Sequence, residues 1–255
     1  MEFTQNEKEA LFEQNKTKSY SSPHYVFHFR EGSLAEKDIL LIVQEQEKCF
    51  SEICAVLQVN YPNKIHYYFT ESPSEIGSAI WEDGICCNGV ALCGEKESKI
   101  YAVYNETVKC IGAHEDTHMI AFAINFPASD FVVEGLAMYM DRLWWGIPNE
   151  VWTSYYKNMY PELTVRAMLD NDAFAEQGCE ITYPIAGAFT KYLVDTYGRG
   201  KYVDLYKYGG CNYEDVFVSC FKESFEKIEN AFWKQMDRIS FDVSALEEML
   251  RAEDC

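Results

Sequence analysis

Apolar positions follow two regimes along the chain. In the first hundred residues they form short runs, many of them alternating and rich in aromatic or β-branched side chains: "HYVFHFR" (24–30), "KIHYYFT" (64–70), "GVALCG" (89–94) and "KIYAVYN" (99–105). Runs of this kind predict strands. Between the first two, "SLAEKDILLIVQEQEKCFSEICAVLQ" (33–58) places its apolar residues at helical spacing, with Ser33 as N-cap. "SPSEIGSAIW" (72–81) predicts a short helix capped by Ser72, with Pro73 at the first helical position.

From residue 107 onward the pattern is helical. The expected segments are approximately 107–124, 131–145, 150–160, 182–197, 200–208, 212–221, 224–239 and 242–253, punctuated by Gly198, Gly200 and the pair 209–210 as C-caps or turns. Strands with one long helix followed by a helical half make an α+β pattern, not a repeating βαβ one. No internal repeat or low-complexity linker interrupts it. The expected organisation is a polar N-terminal extension (1–22) and one domain over 23–255. That domain divides into a β-containing lobe (23–125) and a helical lobe (126–255), with the helix carrying His114 at the seam.

Composition narrows the function classes. Lys and Arg total 22 against 41 Asp and Glu, a formal charge of −19. Phosphate binding needs cationic surface, so nucleic acid is not expected as a partner. Solubility accounts for the acidity, and a preference for basic substrates is the alternative. The polar, acidic start "MEFTQNEKEALFEQNKTKSYSS" has no secretory pattern, and no run reaches the roughly 18 apolar residues of a membrane span. A cytoplasmic protein without a membrane partner is expected, its ten cysteines reduced. Cys86, Cys87 and Cys93 lie close in sequence but fit no CxxC pair, and they read as ordinary thiols rather than a second metal site.

The chemistry concentrates in "GAHEDTHMIAF" (112–122). On a helix, four residues advance the chain by about 400°, so His114 and His118 sit one turn apart on nearly one face. Two imidazoles so placed can bind one Zn²⁺. Glu115, offset by about 100°, reaches a water at the metal rather than the metal itself. A zinc site needs a third protein ligand, and "FVVEGLAMYM" (131–140) offers Glu134, a lone carboxylate whose burial in so apolar a run calls for a partner. "NFPASD" between them leaves room for a turn.

HExxH followed by "EGLAMYM" resembles the gluzincin branch of the zinc metallopeptidases, the peptidase MA-like group. The likeness covers most of residues 24–238 and is strongest at 111–140 and at "TYPIAGAFTKYLVDTYG" (182–198). It implies a thermolysin-like zincin fold and one zinc per chain held by His114, His118 and Glu134. Glu115 is then the general base in hydrolysis of a peptide or protein substrate. The resemblance also supports Tyr183 as a donor to the developing oxyanion, although an ordinary packing role fits that residue equally; Tyr155, Tyr156 and Tyr160 are weaker rivals. It implies an extended substrate held on a sheet edge, for which "NGVALCG" (88–94) is suited.

The chain also departs from the family pattern. The spacing to Glu134 is shorter than in the thermolysin-like members. Met138 stands where those enzymes carry an aspartate that orients a histidine, which leaves Asp141 or another group to do so. Asp116, unusual inside the motif, reads as a solvated or hydrogen-bonded helix residue or as support for a ligand. His24, His28 and His66 fall on strand-like segments and read as structural or surface residues rather than ligands. The alternative to a peptidase is an inactive zinc-binding module with a binding or regulatory role. Intact Glu115 favours the enzyme.

Overall fold

In the computed structural model, which describes residues 18–80, 87–93, 98–210 and 212–253, the alternating N-terminal runs build one five-stranded sheet. The chain divides into two units, residues 1–124 and 125–255.

The first unit runs β1 (Lys18–Ser21), β2 (Tyr25–Phe29), α1 (Leu34–Lys37), α2 (Ile39–Leu57), β3 (Ile65–Thr70), α3 (Pro73–Ile80), β4 (Gly89–Cys93), β5 (Ser98–Val103) and α4 (His114–Phe122). Strand order is β1-β2-β3-β5-β4. The central three strands are parallel, and β1 and β4 close the edges antiparallel. The four expected strands are present, within a mixed arrangement compatible with the α+β class. Two features go beyond the pattern reading. Residues 18–21, assigned to a polar extension, form edge strand β1; being largely exposed, they carry no alternating signal. A βαβ crossover, β2–α1/α2–β3, sits inside the sheet. Ser33 caps α1 by accepting from the Glu36 N–H (3.3 Å). The Ser72 hydroxyl instead lies 2.9 Å from the Ser74 hydroxyl.

Period-two alternation gives the sheet two buried faces. Tyr25, Phe27, Tyr67 and Phe69 stack across one of them, with Phe50 of α2 set edge-on to Tyr25. On the other, α3 covers Tyr68, Tyr101 and Val103 with Ile76 and Ala79.

The second unit runs α5 (Asp130–Asp141), β6 (Leu143–Trp144), β7 (Ile147–Pro148), α6 (Asn149–Met159), α7 (Val165–Met168), α8 (Asn171–Glu176), α9 (Cys179–Tyr197), α10 (Arg199–Tyr206), α11 (Tyr213–Phe221), α12 (Phe225–Met236) and α13 (Val243–Glu253). The segment expected as a helix over 131–145 ends at Asp141. Trp145 and Gly146, both at positive φ, then make the tight turn of a two-residue hairpin. Short helices α7 and α8 were not legible, because four to six residues hold too few apolar repeats. Helix α9 begins at Cys179, one turn earlier than expected, so Pro184 lies inside it. Gly198 at φ 90° ends it, as the pattern required.

Close packing of α5 on α9 depends on small residues. A Cβ on Gly135 would meet Thr190 Oγ1 at 2.7 Å, and one on Gly187 would meet Met138 Cβ at 2.7 Å. Trp152, Phe189, Phe217, Phe225 and Phe232 fill the helical core. Among the described residues, no helix is long and apolar enough to cross a membrane.

His28 and His66 are cross-strand neighbours, with Nε2 of one 3.0 Å from Nδ1 of the other, and His28 stacks on Tyr68. Burial, then the His66 and Lys99 charges, lower the His28 pKa from 6.5 to about 4. The unfolded chain therefore takes up this proton first. The His28 contribution to stability is complete above about pH 6.5 and is lost as pH falls toward about 4. Thermal melts of His28→Phe across that window are expected to show a shallower acid slope than wild type; parallel slopes would reject this assignment.

Candidate metal centre

Helix α4 has an unusual start. Its N-cap is Ala113, which supplies no side-chain hydrogen bond, and the preceding Gly112 has φ 128°. The sequence reading expected a helix from 107. Instead residues 104–110 stay with the sheet through the Tyr104–Lys109 bridge and a bond from the Cys110 N–H to the Val103 carbonyl (2.8 Å). Gly112 then breaks any continuous helix, and Val108 packs on the core under α3.

The result is that His114 is the first helical residue. His114, Glu115 and His118 are half-buried, whereas Asp116, Thr117, Met119 and Ile120 are buried on the opposite side. The two imidazole rings lie 5.0 Å apart, nearly perpendicular. Glu115 faces the sheet edge: a Cβ placed on Gly89 of β4 would fall 2.5 Å from its Oε1 and 2.8 Å from Cys110 Sγ. Only a glycine leaves room for that carboxylate against the strand. This contact was not visible in the sequence, where Gly89 read simply as a strand boundary.

Beneath the helix, Asp116 is fully buried. Its Oδ2 accepts from the Tyr25 hydroxyl and from Gln46 Nε2 (2.9 Å). Burial foremost holds its carboxyl well above the usual carboxylate range, with the Glu115 charge adding to the effect. Of the two readings of Asp116, the hydrogen-bonded helix residue describes these contacts. Gln46 also clamps the backbone before the helix, accepting from the Gly112 N–H (2.7 Å) and donating to the Gly112 carbonyl (3.1 Å). Its signal was present in the sequence. Gln46 interrupts the buried stripe Ile42, Cys49, Phe50, Ile53 of α2, and a buried amide there needs partners.

Glu134 is half-buried on α5, among neighbours that are almost all buried. Asp130 lies one turn before it, its carboxyl raised by burial and then by the Glu134 charge. Met138 is buried against Gly187 of α9. The Tyr183 ring is held between Phe174 and Trp144. Among the described residues, one group has the donors for a metal: His114, His118 and Glu134 each offer one ligand atom, and these atoms lie within 4.8 Å of one another. That donor set could hold a metal ion.

The remaining candidates are ordinary. Cys86 lies outside the described residues, and Cys87 is exposed. The Cys93 thiol sits 3.8 Å from the Met119 sulfur, and burial, then the Glu115 charge, push it up to about 11. His24 pairs with Glu47 (2.6 Å) and stacks on Phe50.

No protein-family model matches this chain, and no curated protein matches it.

Gly89→Ala is expected to destabilise the protein by about 1–3 kcal/mol, because the new methyl overlaps Glu115 and Cys110. In a Glu115→Ala background part of that overlap is gone and the loss should shrink. Equal losses in the two backgrounds, measured by urea unfolding, would contradict the close approach.

Proposed function

We propose that this protein is a zinc-dependent metallopeptidase of the gluzincin type, with a zincin-like arrangement of its sheet and helices, acting in the cytoplasm on a peptide or protein substrate. The observation that carries the proposal is the mutual approach of the ligand atoms of His114, His118 and Glu134. Two imidazole nitrogens and one carboxylate oxygen suit zinc, and three protein ligands are the number found at catalytic rather than structural zinc sites. The acidic, cysteine-rich composition fits the proposed location.

When bound, zinc supplies Lewis-acid chemistry at neutral pH. The chain's own residues do the rest. Glu115 is the base: its carboxylate takes a proton from the attacking water and passes it to the leaving amine. Its position beside Gly89 supports this role, since β4 is an edge strand whose backbone groups suit an added extended peptide. A peptide so paired would run past the Glu115 carboxylate. Tyr183 joins the proposal as a donor to the developing negative charge, on the strength of the resemblance.

Elemental mass spectrometry on tag-free protein tests the metal, and a peptide library tests the reaction. Wild type should carry about one zinc per chain. His114→Ala and Glu134→Ala should lose it. Glu115→Gln should keep the zinc but cleave peptides about a hundred- to ten-thousand-fold more slowly. Zinc without cleavage in wild type would leave a metal-binding module; no zinc after zinc is supplied would end the proposal.

A further inference from the structure

Gln46, 66 residues before Gly112 in the chain, makes two backbone hydrogen bonds to that glycine with one amide, in the manner of a paired peptide group. The same Nε2 also donates to Asp116 Oδ2 (2.9 Å), which accepts from the Tyr25 hydroxyl as well. The Tyr25 hydroxyl also lies 3.1 Å from the Gln46 backbone carbonyl, so β2, α2 and α4 meet at one buried polar cluster. Gln46, Tyr25 and Asp116 are all fully buried.

Helix α4 cannot set its own start. No side chain caps it, and Gly112 at φ 128° is free to rotate unless held from outside. His114 follows that glycine by two residues. The direction in which its imidazole leaves the helix is therefore fixed by whatever holds residues 112 and 116, and the residue that touches both is Gln46.

We propose that Gln46, backed by Tyr25, is a positioning residue for the His114 and His118 pair, presetting the imidazoles for a divalent metal. The proposal rests on the metal-centre reading above. Removing the clamp leaves the ligands in place but lets the pair rotate, so metal affinity falls even where the fold survives. Loss of groups that orient metal ligands typically lowers affinity about 10–100-fold.

The test uses the full chain with zinc or cobalt alone. Gln46→Met keeps the volume and removes both amide groups; Tyr25→Phe removes one hydroxyl and is the milder change. Zinc affinity is read by competition with a chelating dye, and ligand geometry by the visible absorption of the cobalt form. Apo-protein melting reports stability separately. The expected result is zinc affinity lowered about ten-fold or more in Gln46→Met, and less in Tyr25→Phe, with an altered cobalt spectrum in protein that remains folded. If Gln46→Met does not fold, Tyr25→Phe decides. Variants that melt lower but bind zinc with unchanged affinity and an unchanged cobalt spectrum would overturn the positioning role while leaving the metal centre intact. Failure of wild type to bind either metal would overturn both, so the two failures are distinguishable.

Discussion

A single buried amide governs the local geometry of the motif. Gln46 reaches across from α2 and does for Gly112 what a neighbouring strand would do, bonding its N–H and its carbonyl together. A buried amide left unsatisfied is costly, so the clamp and the burial of α2 against α4 stand or fall together. The motif helix has nine residues and no cap of its own. Short helices are marginal in isolation, so its stability comes from what it packs on.

That dependence separates two sides of one helix. The buried side carries Asp116, Thr117, Met119 and Ile120 and ties the helix to the sheet. The half-buried side carries His114, Glu115 and His118. The Thr117 hydroxyl is satisfied within the first turn, donating to the Ala113 carbonyl (2.7 Å). Asp116, its carboxyl pushed well above the usual carboxylate range chiefly by burial, accepts hydrogen bonds from Tyr25 and Gln46 through Oδ2. The buried side thus holds the helix in place while the half-buried side carries the candidate metal donors.

Much of this was legible in the chain. The strands at 25–29, 65–70, 89–93 and 98–103 follow from alternation and aromatic content, and α2 and most of the C-terminal helices follow from apolar spacing. The errors have physical causes. β1 is an exposed edge held by pairing to β2, which a local pattern cannot register. The helix expected from 107 begins at His114, because Gly112 and the sheet contacts of Cys110 outweigh an apolar pattern that suited a longer helix. Helix α9 starts at Cys179 rather than at the expected 182, so Pro184 lies inside it instead of at its first turn.

The sequence alone determined the candidate metal donors and their spacing. A four-residue interval puts His114 and His118 on one helix face whatever surrounds them, because the rise and twist of a helix are fixed by the backbone. It also singled out Glu134, since an acid in so apolar a run needs a partner. Tertiary structure decided where the helix begins, that Asp116 is buried and bonded to Tyr25 and Gln46, and that Glu115 lies against Gly89. Each of these is a contact between residues far apart in the chain. Such contacts depend on how elements pack, and local periodicity carries no information about packing partners.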